Sequence, residues 1–517
     1  MTPSAEGSAR PGTAEARNGG EGRRGGGFAW AGVAAALAAL VTWSFWQRWT
    51  LLAASPFPVG IDGYFYPIQL RSLLEDGALA YPASPLAFWL MAPLAAVTDP
   101  ITGAKLGAAL FGALIAVPAY GVGSMLGRSR GAGLIAAALA TTSAGSAFLT
   151  FEFVKNGVGL TVALAALWLV LRALETPSRG RLVGAVVGIL AAMLAHKMAA
   201  AIVLAIAVPA AIVEAHARHA VTLRVVGGGL AGLGVLVVVL GLVFPDRFVS
   251  PRDLTMLSNL WTSEARWEAP ALVLPRDTLA MGHEALIGGL LALGAAVLLV
   301  RSSEPRSRRV AGGGVVGIAL MIALPWLAVT DPMGLGFRLR LVAFVPMALC
   351  AAIVVPWLVG TTRSLVRDGL LAAAALAIVL LMPRERAQGK IVAHPAMVAA
   401  VQALAGKLPE GATAIVPERH IMFMVAWYTR APSRLAPDRV PAERRWRVLP
   451  LAFTGQGSPL DDALMAARTE PGLVPPVGTH PRHPNGLVLV PEATWEWLLA
   501  HLPPGDVHDY FARWPTI

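Results

Sequence analysis

The chain has 517 residues, of which 56% are hydrophobic and 14% charged, against about 25% charged in a soluble globular protein. With a mean hydropathy of +0.62, this composition excludes a purely soluble enzyme and a disordered protein, and it is that of a membrane protein. The formal net charge of +11 would suggest a nucleic-acid partner in a soluble chain. Here the basic residues sort by membrane side instead, so no nucleic acid is expected. The single cysteine, Cys350, excludes an intramolecular disulfide or a CxxC metal knuckle, and its place in the apolar run 341–359 makes it a small core residue.

Residues 1–27 are rich in Gly, Ser, Ala, Glu and Arg, have no apolar face, and are expected to form a disordered tail. The run Phe28 to Trp46, preceded by Arg23 and Arg24, is too long for a typical signal segment and reads as a retained first span. Further spans are expected at about 104–126, 131–150, 157–173, 182–195, 198–213, 225–244, 284–300, 310–329, 341–360 and 368–382, making about 11 transmembrane helices. The stretch 182–213 is too long for one span and carries His196-Lys197 in its middle, so it is divided there. The short apolar piece 85–97, bounded by Pro85 and Pro93, is expected to be interfacial or re-entrant.

The connections support this count. The tail and the segments around Arg128, Arg179, Arg218, Arg306 and Arg363 carry 17 positive residues, while the alternate, longer connections carry 10. The arginine-dense set falls on one side in strict alternation, and the positive-inside rule makes that side the cytoplasm. The chain is therefore expected to lie in the cytoplasmic (inner) membrane with its N-terminus inside and its C-terminus outside. Two outer loops are long, about 47–103 and 245–283, and in the first Tyr64 to Leu74 reads as an amphipathic surface helix with Arg71 and Glu75 at ion-pair spacing. From residue 384 charge and proline rise and no long apolar run remains. Residues 384–517 are expected to form a small soluble α/β domain, helical at 395–406, 420–428 and 491–502 and extended at 412–416 and 486–490, outside the transmembrane domain 28–383. The segment 430–485 is too rich in Pro and Arg for an assignment.

Ionisable residues at helix ends are expensive near lipid and are often functional. In this topology Asp62, Glu152, Lys155, His196, Lys197, Asp331, Arg338 and Arg340 all fall on the outer side. Asp62, in Gly60-Ile-Asp62-Gly-Tyr64, suits a general base, a metal ligand or a helix N-cap. Glu152 and Lys155 suit a second acidic group with a phosphate contact, or an interfacial ion pair. His196-Lys197 suits a polar pair facing a phosphate, or a turn between two helices. Arg338 and Arg340 suit phosphate recognition, although a spacing of two puts them on different helix faces. Other patterns carry no chemistry. Gly121-Val-Gly123 lies inside an expected span, and His283-Glu284 lacks a second His at position 287. Whether a divalent cation such as Mg or Mn sits between Asp62 and Glu152 is open at this point.

The order of these features resembles the GT-C superfamily of polytopic membrane glycosyltransferases, which includes oligosaccharyltransferase catalytic subunits, protein mannosyltransferases and aminoarabinose transferases. The shared outline runs from a first span to an outer loop opening on an acid, here Asp62, and then a Pro-rich apolar piece, here Tyr81 to Phe88. Lys105 leads into paired spans, Glu152 gives a second acidic site, and an extracytoplasmic domain closes the chain. The resemblance implies a GT-C-like helical fold and transfer of a sugar from a polyprenyl-phosphate-type lipid donor to an acceptor on the outer face. It also implies Asp62 as catalytic base or metal ligand, Glu152 as a looser second acid, and Arg338, Arg340, Lys155, His196 and Lys197 as a basic patch for the lipid phosphate. Asp62 is followed by Gly rather than a second acid, and no Trp-Trp-Asp-type acceptor motif occurs, which leaves the acceptor open. The rival classes are a multi-spanning transporter or lipid flippase and a non-catalytic GT-C-fold scaffold. Clustering of ionisable groups at one face, without an internal repeat, favours the enzyme.

Overall fold

The computed structural model describes residues 21–218, 279–327, 334–360, 364–381, 395–450, 459–478 and 486–502, with isolated positions between them. Helix α1 (Glu21–Ala53) begins inside the segment expected to be disordered. Two short helices follow in the first long loop, α2 (Phe65–Asp76) and α3 (Leu86–Val97). The bundle continues as α4 (Pro100–Leu114), α5 (Ala116–Gly127), α6 (Arg130–Thr142), α7 (Ala144–Phe151), α8 (Val154–Glu175), α9 (Arg179–Ala195) and α10 (Lys197–Ala217). After a gap come α11 (Leu279–Arg301), α12 (Arg306–Ala323), α13 (Leu335–Leu341), α14 (Phe344–Val359) and α15 (Ser364–Leu381). The expected span 225–244 falls outside the described residues apart from isolated positions, as does Asp331.

Among the described residues, four helices are long and apolar enough to cross a membrane, or up to six when each of two bent pairs counts as one span. The expected span 131–150 is such a pair, α6 and α7, bent by 46°, and 341–360 falls in the second, α13 and α14, bent by 44°. The first bend is held by a cap and by a distant carboxylate. Ser143 is extended and caps α7 by accepting from the Ser146 N–H, while Glu284 of α11 accepts from the N–H groups of Ala144 and Gly145 at 2.6 and 3.1 Å. A carboxylate at a helix N-terminus satisfies orphan donors and complements the dipole, so the break is stabilised by a neighbouring helix. The expected spans 28–46 and 182–195 are helical within α1 and α9, 368–382 is helical in α15 as far as Leu381, and 310–329 is helical in α12 only as far as Ala323.

Among the described residues, four of the arginine-bearing connections meet at one end of the bundle. Arg128 pairs with Glu304 at 2.5 Å, Arg308 pairs with Glu304 and with Glu175, and Arg218 donates to the Leu174 carbonyl. Lys155 stands at the other end of α8 from Glu175, about 30 Å away at 1.5 Å per residue. Within the bundle, Arg48 of α1 is buried and satisfied by neutral groups. It donates to Thr150 Oγ1 (3.1 Å), Thr141 O (2.9 Å) and Ser146 Oγ (2.9 Å), and also bonds Ser44, which ties α1 to α6 and α7.

The C-terminal unit contains α16 (Pro395–Gln402), β1 (Thr413–Ile415), α17 (Arg419–Thr429), β2 (Ser433–Arg434), β3 (Arg445–Pro450), α18 (Pro459–Ala467), β4 (Val477–Gly478), β5 (Leu487–Pro491) and α19 (Glu492–His501). Its sheet has the order β2-β1-β3-β5-β4, parallel between β1 and both its neighbours and antiparallel at β5. Side chains alternate between faces. Val448 and Leu489 join the cluster under α16 and α17, whereas Leu449, Val488 and Val490 join the one under α18 and α19. Tyr64 and Ile68 also belong to the first of these clusters. The loop helix α2 therefore completes the core of the C-terminal unit, which fixes that unit over the mouth of the first loop.

Candidate active site

The site starts from one turn. The Gly63 N–H donates to the Gly60 carbonyl at 3.0 Å and the Phe65 N–H to the Asp62 carbonyl at 3.0 Å, so residues 60–63 fold tightly ahead of α2. Gly60 has φ +89°, and a Cβ there would stand 2.3 Å from the Phe151 carbonyl and 3.0 Å from Glu152 Oε2. Only glycine permits both that backbone angle and that approach. The approach lets the Ile61 N–H donate to Glu152 Oε2 at 2.9 Å. The two acids singled out in the sequence thus meet at one turn with different tasks. Glu152, only 8% exposed, holds the backbone, and Asp62 presents its carboxylate. Asp62 is not the N-cap of α2. That position is Tyr64, which makes no side-chain cap bond.

The Asp62 carboxylate meets Arg419, the first residue of α17. Nε lies 2.9 Å from Oδ1 and Nη2 3.3 Å from Oδ2, the two-pronged arrangement a guanidinium favours. Burial pushes the Asp62 carboxyl above the ordinary carboxylate range, and the cations Arg419, Lys155 and Arg338, in that order, pull it back. Lys155 is the second residue of α8. Lys197, the first residue of α10, acts electrostatically on both Lys155 and His196. Five elements distant in sequence therefore deliver charge to one place.

His196 is the single residue between α9 and α10, and its Nδ1 accepts from the Ala199 N–H at 3.4 Å as the cap of α10. It is thus a turn residue, and its buried ring also faces the cations of the site. Arg338 and Arg340 diverge as their spacing predicts. Arg338 is half-buried and close enough to act on Asp62. Arg340 is 1% exposed and, among the described residues, donates to the Leu324 carbonyl at 3.4 Å, while its Nε and Nη1 have no partner there. Lys105 lies apart from both, donating to the Ser55 carbonyl at 2.6 Å where α1 ends.

Arg71 does not pair with Glu75. It donates to the Trp427 carbonyl at 2.9 Å with its guanidinium 4.4 Å from the Trp427 ring, and Glu75 pairs instead with Arg430. Tyr64 and Tyr428 share a hydroxyl bond of 3.0 Å, and Phe65 packs on Phe423 at 5.2 Å between ring centres. These contacts dock α17 on α2 and aim Arg419 at Asp62. Arg419 escapes a sequence reading because it looks like any arginine at the start of a surface helix. Its one distinguishing signal is the neighbouring Glu418, which caps α17 by accepting from the Ile421 N–H.

The donor set for a divalent cation is thin. Among the described residues no group of three or more His, Cys, Asp or Glu side chains converges. Asp62 is engaged by a guanidinium and Glu152 by a backbone N–H, so these residues do not fit a metal as they stand.

No family model matches the sequence, and no curated protein matches it. Among solved structures, the chain is similar to the crystal structure of ArnT from Cupriavidus metallidurans bound to undecaprenyl phosphate. The TM-score is 0.50 at 14% identity, covering 89% of this chain and 98% of that one. The chain has the GT-C fold. At this identity the likeness speaks for the fold, and the fold is that of a multi-pass membrane protein. In this chain the acidic turn after α1, α2 and the terminal α/β unit meet at the cluster of charges.

Proposed function

We propose that this GT-C protein transfers a sugar from a polyprenyl-phosphate-linked donor to an acceptor on the outer face of the cytoplasmic membrane. The observation that carries the reading is a half-buried carboxylate, Asp62, paired with Arg419 and within electrostatic reach of Lys155 and Arg338 at the end of a helical bundle. A base beside a concentration of positive charge suits a displacement in which a phosphate departs. Undecaprenyl phosphate is bound in the similar ArnT structure, which supports a polyprenyl-phosphate lipid as the donor's carrier.

Asp62 takes the proton of the acceptor hydroxyl as its oxygen attacks the anomeric carbon. The bond from that carbon to the phosphate oxygen breaks, and its electron pair leaves with the polyprenyl phosphate. Direct displacement inverts the configuration. Arg338, Lys155 and Lys197 stabilise charge on the departing phosphate. His196 caps α10, and Arg340 is turned away toward the Leu324 carbonyl. Glu152 holds the turn that carries Asp62.

The test compares glycolipids and glycoproteins by mass spectrometry from cells with the protein, without it, and with Asp62→Asn. Loss of one defined sugar mass in both altered strains, with Asp62→Asn present in the membrane, supports the transferase. Wild-type products from Asp62→Asn refute the base.

A further inference from the structure

Among the described residues of the site, Lys155, Lys197, Arg338 and Arg419 are cationic and Asp62 and Glu152 anionic, an excess of two positive charges. Three of these cations come from the bundle. Arg419 alone comes from the C-terminal unit, and both prongs of its guanidinium grip the carboxylate that the reaction needs as a base. A carboxylate held this way has fewer lone pairs for an acceptor hydroxyl, and its basicity is lowered by the adjacent cation. The same fork fits a phosphate. Arg419 is more exposed than Asp62, with 38% of its side chain accessible against 16%, so it can move while Asp62 stays on its turn. The docking of α17 does not depend on this pair, because Tyr64–Tyr428, Arg71–Trp427 and Phe65–Phe423 hold it independently.

We propose that Arg419 exchanges partners, gripping Asp62 when no donor is present and the donor's phosphate when one is bound, so that arrival of the donor frees the base. Resting on the proposed transfer reaction, this makes Arg419 a positioning residue for Asp62 and a determinant of phosphate binding. The exchange keeps a competent base from forming before the sugar is in place, and it places the C-terminal unit in direct control of the reacting carboxylate.

The exchange makes Asp62 and the phosphate competitors for one guanidinium, which a double-mutant cycle measures. The probe is undecaprenyl phosphate, titrated into the purified full-length protein in detergent. Arg419→Gln is expected to weaken binding about tenfold, the size of one charge-assisted hydrogen-bonded pair. Asp62→Asn is expected to tighten it about tenfold by releasing Arg419, and to change it by no more than about twofold when Arg419→Gln is already present. Arg419→Lys, which keeps the charge and loses the fork, should recover part of the affinity.

Equal tightening by Asp62→Asn in both backgrounds would mean simple repulsion between two anions and would overturn the exchange. So would unchanged binding by Arg419→Gln. Failure of wild type to bind the probe also overturns it, and leaves the transfer reaction to the mass-spectrometric test. Loss of a sugar product in Asp62→Asn cells alongside an additive cycle sinks the exchange alone. A non-additive cycle without any sugar product sinks the transferase alone.

Discussion

Replacing Gly60 by alanine tests whether the turn at residues 60–63 places the base. Two costs follow from the geometry. At φ +89° an L side chain is strained by about 1–2 kcal/mol. The new Cβ would also lie 2.3 Å from the Phe151 carbonyl, a contact that backbone atoms cannot relieve in place. The cheaper response is for the turn to withdraw from α7, which forfeits the Ile61–Glu152 bond and leaves a buried carboxylate short of a donor. A hydrogen bond to a charged group contributes about 1.5–3 kcal/mol, so the combined penalty is about 2.5–5 kcal/mol. Asp62 moves with the turn, and a displacement of about 1 Å at a reacting group lowers a rate on the order of 100-fold. The assay is the initial rate of appearance of the sugar product at equal protein level in the membrane. Gly77→Ala is the control. Its φ is +71°, but nothing lies within 4 Å of its Cβ, so it carries the backbone strain without the clash and should retain the wild-type rate. Wild-type rates from Gly60→Ala, or equal losses from both variants, would refute the argument that this close approach positions Asp62.

Arg71→Ala removes a bond to the Trp427 carbonyl and a guanidinium–indole contact, worth about 1–3 kcal/mol together. Hydrogen exchange should rise in α2 and α17 while the bundle stays protected. The acid side of the activity profile should lie above the ordinary carboxylate range, because burial raises Asp62 and activity is lost as pH falls through that raised value. Arg419→Gln removes the strongest opposing cation, so the acid limb of kcat/KM should move to still higher pH, and a shift downward would contradict the ion pair. Arg340→Met replaces a buried guanidinium with two unpartnered nitrogens by an apolar chain. The thermal midpoint of the detergent-solubilised protein should rise, as buried charges without compensating partners cost stability. Arg338→Met should instead leave the midpoint near wild type and weaken undecaprenyl phosphate binding.

The helices were legible because apolar run length and the caps that bound it are local properties. The division of 182–213 at His196 is an instance. A polar pair in a 32-residue apolar stretch cannot stay in lipid, and the structure places the one-residue break there. The bends at Ser143 and after Leu341 were not legible, because the first depends on Glu284, a carboxylate 140 residues away. In the C-terminal unit α16, β1, α17, β5 and α19 carried readable periodicity, whereas β3 and α18 lie in the Pro- and Arg-rich segment 430–485 that has none. The strands β2 and β4 are two residues each, defined by their partners rather than by their own pattern.

At the site, the signal that survived in the sequence was energetic. Carboxylates, lysines and arginines at the ends of apolar runs are retained only where something rewards them, and Asp62, Glu152, Lys155, His196, Lys197 and Arg338 do converge. Arg340 carried the same signal and lies apart, because one residue along a helix turns a side chain by about 100° and two residues send it to the far face. Arg419 carried no such signal, since an arginine in a soluble unit costs nothing to keep. Its position at Asp62 follows only once Tyr64 and Ile68 are seen to complete the core beneath α17. The hydrophobic burial that joins the first loop to the last domain is therefore also what sets the charge on the base. A substitution that loosens that core should affect the acid limb of the pH profile before it affects the bundle.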